Sequence, residues 1–75
     1  MTAKYVENLA NDQIRGYEFN IKYNTYADSV EAAKKCIQAV TEVVTELRCD
    51  NITPNDAYAR ITKIAREFLN CEKGE

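Results

Sequence analysis

The chain has 75 residues, of which 45% are apolar and 29% charged, with a formal net charge of −2 and no histidine. A chain of this length has room for one hydrophobic core, so we expect a single domain over residues 1–75 and exclude a multidomain enzyme. The acidic balance and the lack of a polybasic run disfavour binding to nucleic acid or to anionic membranes through charge alone.

The cysteines, Cys36, Cys49 and Cys71, are spaced too widely for a zinc-binding pair. Because histidine is also missing, we expect no metal and no other cofactor. The odd number of cysteines, with no apolar leader and no stretch long enough to span a bilayer, predicts a reducing, cytoplasmic location and no membrane partner.

The N-terminal third admits two interpretations. As a helix, it carries a stripe at helical spacing, and the chain is then a three-helix bundle; the stripe is Val6, Ala10, Ile14, Tyr17 and Ile21. As a strand, aromatic and β-branched residues alternate with polar ones between residues 17 and 24. The interpretation preferred from sequence is a helix over about 3–15, stopped near Gly16, followed by residues 17–24 as a short strand. The three-helix bundle is the alternative.

A second helix is predicted over about 27–48. Its apolar face consists of two adjacent stripes, one with Val30, Ala33, Ile37, Val40, Val44 and Leu47, the other with Ala32, Cys36, Ala39 and Val43. This face is wider than one neighbouring helix would cover, so the helix needs two packing partners or a second chain. Two overlapping capping signals, beginning at Thr25 and at Asp28, mark its start.

A third helix is predicted over about 54–70. Thr53 supplies an N-cap, Pro54 occupies the first helical position and Asp56 follows three residues after the cap. The short connection from the second helix makes the two an antiparallel helical hairpin. The fold class predicted is therefore mainly α, with this hairpin packed against an N-terminal helix.

The sequence contains no recognisable catalytic machinery. A Ser-His or Cys-His arrangement is impossible without histidine, and Glu42 and Glu46 have the spacing of a solvated helix face. Gly16 and Gly74 are isolated, so no glycine-rich phosphate loop is present. We therefore expect a protein that is not an enzyme. Basic residues at 60, 63 and 66 form the one compact basic stripe, which we expect to be solvated.

Tyrosine and basic residues are concentrated between residues 15 and 26. Tyrosine and arginine are favoured at binding surfaces because each combines a large contact area with a polar end. The candidate partner-binding residues are Arg15, Tyr17, Phe19, Lys22, Tyr23 and Tyr26. Two other interpretations remain for this segment: ordinary packing of the rings, and stacking against a nucleotide.

The sequence therefore favours a protein-interaction module, an adaptor or a small inhibitor that masks a larger protein, by analogy with small virus-encoded inhibitors of host defence. One alternative is a dimeric DNA-binding protein of the ribbon-helix-helix kind, in which residues 17–24 of two copies pair as strands. Another is a homo-oligomer that binds a small molecule or nucleotide between its copies. The expected partner is another protein, and nucleic acid is disfavoured.

Overall fold

The computed structural model describes residues 1–24 and 26–72, with the backbone alone at Cys71 and Glu72. It consists of three helices in chain order: α1 (Ala3–Tyr23), α2 (Ala27–Arg48) and α3 (Pro54–Glu72). No strand occurs within these residues. The predicted mainly α class and the helical hairpin are confirmed, and the N-terminal third has the structure of the three-helix alternative.

Helix α1 begins as predicted but continues past Gly16. Thr2 caps it, its Oγ1 accepting a hydrogen bond from the Tyr5 amide at 3.2 Å. The predicted strand over 17–24 is wrong, because residues 17–23 belong to the helix. A glycine inside a helix costs only about 1 kcal/mol relative to alanine. Burial of Tyr17, with Ile21 packed against the core one turn later, outweighs that cost.

Helix α2 lies between the other two helices and contacts both along its length. Both predicted stripes contribute buried residues, which are Ala33, Cys36, Val40, Val43, Val44 and Leu47. The wide apolar face of α2 therefore packs against both α1 and α3. At its edge, Ala32 and Ala39 are only partly buried and line an open depression beside α3. The helix starts at Ala27; the capping signal predicted at Thr25 lies outside the described residues.

The α2–α3 connection is a Schellman turn, which ends a helix with one residue in the left-handed conformation. The Asn51 amide donates to the Glu46 carbonyl at 2.9 Å, and the Asp50 amide donates to the Leu47 carbonyl at 3.1 Å. Asp50 has φ 60°, a conformation that favours glycine. The turn reverses the chain and sets α3 antiparallel to α2.

Helix α3 starts at the predicted cap. Thr53 Oγ1 accepts a hydrogen bond from the Asp56 amide at 3.1 Å, and Pro54 is the first helical residue. An ion pair between Arg60 and Glu46, 2.7 Å between Nη1 and Oε2, agrees with the antiparallel arrangement predicted for the hairpin. The sequence predicts an end of this helix at about residue 70 and fraying over residues 72–75. The helix continues to Glu72, and residues 73–75 lie outside the described residues.

Helices α1 and α3 contact each other less than either contacts α2. One point where they meet is Tyr17 against Phe68, whose ring centroids are 5.1 Å apart in an edge-to-face arrangement. At the other end of α1, Arg48 of α2 donates from Nε and Nη2 to Glu7 Oε1 at 3.0 and 2.9 Å. Helices α1 and α3 therefore each pack closely against α2, and they pack less closely against each other on the side away from α2. None of the described helices is long and apolar enough to cross a membrane.

Candidate functional site

Three large aromatic side chains are exposed where α1 ends and α2 begins. Phe19 is 66% exposed, Tyr23 61% and Tyr26 75%. Phe19 and Tyr23 are four residues apart on α1, so their rings meet on the helix surface, with centroids 4.5 Å apart at 44°. Lys22 Nζ lies 5.4 Å from the centroid of the Tyr23 ring, within cation–π range. We refer to Phe19, Lys22, Tyr23 and Tyr26 as the aromatic tip.

Side-chain hydrogen bonds join the end of α1 to the start of α2, next to the aromatic tip. Ser29 Oγ donates to Asn20 Oδ1 at 3.5 Å and accepts from Asn24 Nδ2 at 3.2 Å. Asn24 Oδ1 in turn accepts a hydrogen bond from the Tyr26 amide at 2.8 Å. The two asparagines thus link the last turn of α1 to the first turn of α2.

The structure separates Tyr17 from the other predicted partner-binding residues. Its side chain is 5% exposed and its hydroxyl donates to Gln13 Oε1 at 3.3 Å. The pKa of Tyr17 is raised to about 12, first by burial of the phenol and then by the charge and hydrogen bonding of Cys36. Tyr17 therefore packs as a core residue, and its phenol keeps its proton at a higher pH than an exposed tyrosine would. A foreign surface has no access to most of its ring.

Arg15 stands next to the tip without joining it. It is exposed, and it lies four residues before Phe19 and seven before Lys22, so it shares their side of α1. No ion pair in the described part of the chain involves Arg15 or Lys22. Both cations are thus available to an acidic partner. The structure thus brings together four of the six predicted residues, leaves Arg15 exposed farther back on α1, and buries the sixth, Tyr17, in the core.

Sequence reasoning missed an apolar groove between α1 and α3. The groove has a volume of about 300 Å³ and is lined by Gln13, Gly16, Tyr17, Ala65, Phe68 and Leu69. Leu69 is 54% exposed at its edge. A signal for it is present in the sequence, because α1 carries a second stripe at helical spacing on a different face from the core stripe. This second stripe contains Tyr5, Leu9, Gly16, Phe19 and Tyr23.

The polar surfaces offer little chemistry. A depression on the outside of α2 and α3 is lined by Thr41, Glu42, Thr45, Glu46 and Arg60. Arg60 is paired with Glu46, and the two threonine hydroxyls donate to backbone carbonyls of their own helix. Among the described residues, no group of three or more His, Cys, Asp or Glu side chains is placed to hold a metal ion.

Comparison with protein-family models, with curated proteins and with solved structures finds no match to this chain.

Proposed function

We propose that this chain is a non-enzymatic protein-interaction module, an adaptor or a small inhibitor that binds a larger protein through the aromatic tip. The observation that carries the proposal is the cluster of three exposed aromatic side chains with an adjacent cation at one end of the bundle. Clustered aromatic and basic side chains dominate the binding energy of many protein interfaces. Exposed to water without a partner, the same side chains are an unfavourable surface.

The helical setting of the tip supports this proposal. Phe19, Lys22 and Tyr23 lie on the last two turns of α1, and the Tyr26 amide donates a hydrogen bond to Asn24 Oδ1. Binding through residues that already belong to a helix loses little backbone entropy. Tyrosine and phenylalanine each have only two side-chain torsions to fix, so the side-chain entropy cost is also small.

The two alternative functions receive less support. The ribbon-helix-helix interpretation requires residues 17–24 to pair as a strand, and residues 17–23 are helical. The small-molecule interpretation places its pocket between copies of the chain and therefore depends on self-association. Within one copy, the depression formed by Phe19, Asn20, Tyr23 and Asn24 measures about 160 Å³, and the open groove beside Tyr17 measures about 300 Å³. The first is below the range of roughly 300–1,000 Å³ typical of ligand pockets, and the second is at its lower limit.

The argument for a homo-oligomer from the wide apolar face of α2 is weaker, because α1 and α3 together bury most of that face within the chain. We therefore assign the tip to a foreign protein. A cytoplasmic site of action remains part of the proposal. It is supported by the exposed Cys49 thiol, which forms no disulfide and would be a liability in an oxidising compartment.

The proposal is tested by removing the rings without changing charge. The tip variant carries Phe19→Ser, Tyr23→Ser and Tyr26→Ser. Its matched control carries three serines on the exposed outer face of α2, also without a change in net charge, at Glu31, Lys34 and Gln38. Each variant is tagged and used to capture partners from the cells in which the chain is made, and the affinity of the recovered partner is then measured.

We expect the parent chain and the control to retain one discrete partner. The tip variant should bind it at least about 30-fold more weakly, the effect of losing one interface hot spot of about 2 kcal/mol. Far-UV circular dichroism of all three proteins checks that the fold is intact. Equal binding by the tip variant and the control would show that the tip is not the interface.

A further inference from the structure

The aromatic tip borders a small depression on the side of α1. Phe19 and Tyr23 form one wall of this depression and Asn20 and Asn24 the other, and its volume is about 160 Å³. Because this volume is about half the lower limit for a small-molecule pocket, the depression has room for one amino-acid side chain. Its two walls differ in chemistry, with aromatic rings on one side and side-chain amides on the other.

The side-chain acceptors of the depression already have partners within the chain. Asn20 Oδ1 accepts a hydrogen bond from Ser29 Oγ at 3.5 Å, and Asn24 Oδ1 accepts one from the Tyr26 amide at 2.8 Å. The carbonyls of a last helical turn point along the helix axis, whereas side chains lean back toward the N-terminus. A ligand in the depression would therefore find few acceptors for N–H groups of its own.

Hydrogen-bond donors, in contrast, remain available at the tip. Within the described residues, no hydrogen bond or ion pair engages Asn20 Nδ2, the Lys22 ammonium or the hydroxyls of Tyr23 and Tyr26. At helical spacing, the rings of Phe19 and Tyr23 lie between Asn20 on one side of α1 and Lys22 on the other. The tip thus combines aromatic faces with a donor on each side of them.

A proline-rich segment has the complementary chemistry. Proline has a backbone carbonyl but no N–H, so it needs donors from a binding surface and no acceptors. In the polyproline II conformation these carbonyls make no hydrogen bonds within the segment and face outward around it. Proline rings pack against aromatic side chains, and the preformed conformation keeps the entropy cost of binding small. An ordinary extended peptide would instead bring an N–H group at every residue.

Other common modes of peptide recognition fit the tip less well. Strand addition needs an exposed sheet edge, and the described residues form no strand. Recognition of phosphorylated or acidic segments uses clusters of basic residues, whereas Lys22 is the one cation of the tip and Glu18 lies four residues before it. Docking of a helix needs an apolar groove several turns long, and the depression holds one side chain.

We propose that the aromatic tip binds a proline-rich segment of the partner protein in the polyproline II conformation. One proline ring enters the depression against Phe19 and Tyr23. Asn20 Nδ2 on one side of the rings and Lys22 Nζ on the other donate hydrogen bonds to carbonyls of the segment. The inference rests on the proposed role of the tip in binding a foreign protein, and it adds the class of segment that is recognised.

The test uses two labelled decapeptides as probes. The first is decaproline, and its control is a decapeptide of alternating glycine and serine, which has N–H groups and no rings. Binding is measured by fluorescence anisotropy and located by amide shifts in ¹⁵N-labelled protein. We expect decaproline to bind with a Kd below about 1 mM and to shift Asn20, Lys22 and Tyr23. The control peptide should bind at least about 10-fold more weakly.

Two substitutions test the donor and the ring separately. Asn20→Asp keeps an oxygen that accepts from Ser29 but replaces the amide donor with a second acceptor; its control, Gln38→Glu, makes the same change on the exposed face of α2. Phe19→Leu removes an exposed aromatic face, and its control, Tyr5→Leu, does so near the other end of α1. We expect Asn20→Asp and Phe19→Leu each to weaken decaproline at least about fivefold, and the controls to weaken it less than about twofold. Far-UV circular dichroism checks that each variant is folded.

Several outcomes would overturn the assignment of a proline-rich ligand. These are equal binding of the two decapeptides, undiminished binding of decaproline by Asn20→Asp or Phe19→Leu, and amide shifts confined to Gly16, Ala65 and Leu69 in the groove between α1 and α3.

The capture experiment tests the tip as an interface whatever segment it recognises, so the two failures are distinguishable. A partner lost by the tip variant, together with no binding of decaproline, would remove the proline-rich ligand and leave the tip as the interface. Binding of decaproline, together with equal capture by the tip variant and its control, would overturn the proposed function instead.

Discussion

The contrast between Tyr17 and Tyr23 gives the sharpest prediction of stability. Both tyrosines belong to the segment predicted as a contact surface, but Tyr17 is 5% exposed and Tyr23 is 61% exposed. Tyr17→Ala removes a ring that packs against Phe68, and it removes the hydroxyl that donates a hydrogen bond to Gln13 Oε1. Truncating a buried aromatic side chain lowers the free energy of unfolding by about 3–5 kcal/mol. The better helix propensity of alanine restores roughly 0.5 kcal/mol of this loss. Tyr23→Ala should change the free energy of unfolding by less than about 0.5 kcal/mol.

The effect of Tyr17→Ala is large for so small a protein. At about 0.05–0.15 kcal/mol per residue, a chain of this length has a free energy of unfolding of roughly 4–11 kcal/mol. Urea titration followed by far-UV circular dichroism measures the change. With a slope of about 1 kcal/mol/M, the urea midpoint of Tyr17→Ala should be about 3 M below that of the parent, or the variant should be unfolded even without urea. The midpoint of Tyr23→Ala should stay within about 0.5 M of the parent. Equal midpoints for the two variants would refute the burial of Tyr17.

Three further predictions concern stability. Gly16→Ala should raise the free energy of unfolding by about 0.5–1 kcal/mol, because the added methyl group meets open space in a helix interior; an unchanged or lower urea midpoint would contradict this. Asp50→Gly should raise the free energy of unfolding by up to about 1 kcal/mol, because a φ of 60° is strained for aspartate and unstrained for glycine. A clear loss of stability in this variant would argue against the Schellman turn. Stability should fall as pH rises from about 10 to about 12, because over that window the unfolded Tyr17 phenol loses a proton that the folded one, with its pKa raised to about 12, retains. Tyr17→Phe should flatten that part of a pH series of urea titrations, and an equally steep fall in both proteins would assign it to other groups.

The helical hairpin could be predicted because its signals are local. The Thr53–Pro54–Asp56 cap and the double apolar stripe of α2 each specify one structure without reference to the rest of the chain. The width of the α2 face also predicted two packing partners, and the structure supplies them as α1 and α3. Here pattern and tertiary structure agree.

The segment after Gly16 could not be assigned in the same way because its local signals conflict. Alternating aromatic residues favour a strand, and Gly16, Asn20 and Asn24 all weaken a helix. The deciding interactions are between helices: Tyr17 packs on Phe68, and Asn20 and Asn24 share Ser29 across the turn. Such contacts are between residues distant in the sequence or across a turn, so propensity and periodicity carry no information about them.

The candidate site was predicted in part for the same reason. Clustering of tyrosines and basic residues identified the right stretch of chain, and five of its six residues lie on the surface. Which ring turns inward depends on the conformation of the segment, because a strand and a helix place residue 17 on different faces. The groove between α1 and α3 depends on how far these helices separate, which is a property of the assembled bundle.

Site-specific photo-cross-linking tests the central claim, that the aromatic tip is the face at which a foreign protein binds. A photoreactive phenylalanine analogue is placed at position 23, and in a control at position 34 on the outer face of α2, and both proteins are irradiated in the cells where the chain is made. We expect one discrete adduct from position 23, heavier than a dimer of this chain or shown by mass spectrometry to contain a different protein, and none from position 34. The claim would be contradicted if position 23 gave no adduct, gave only a dimer of the chain, or gave the same products as position 34.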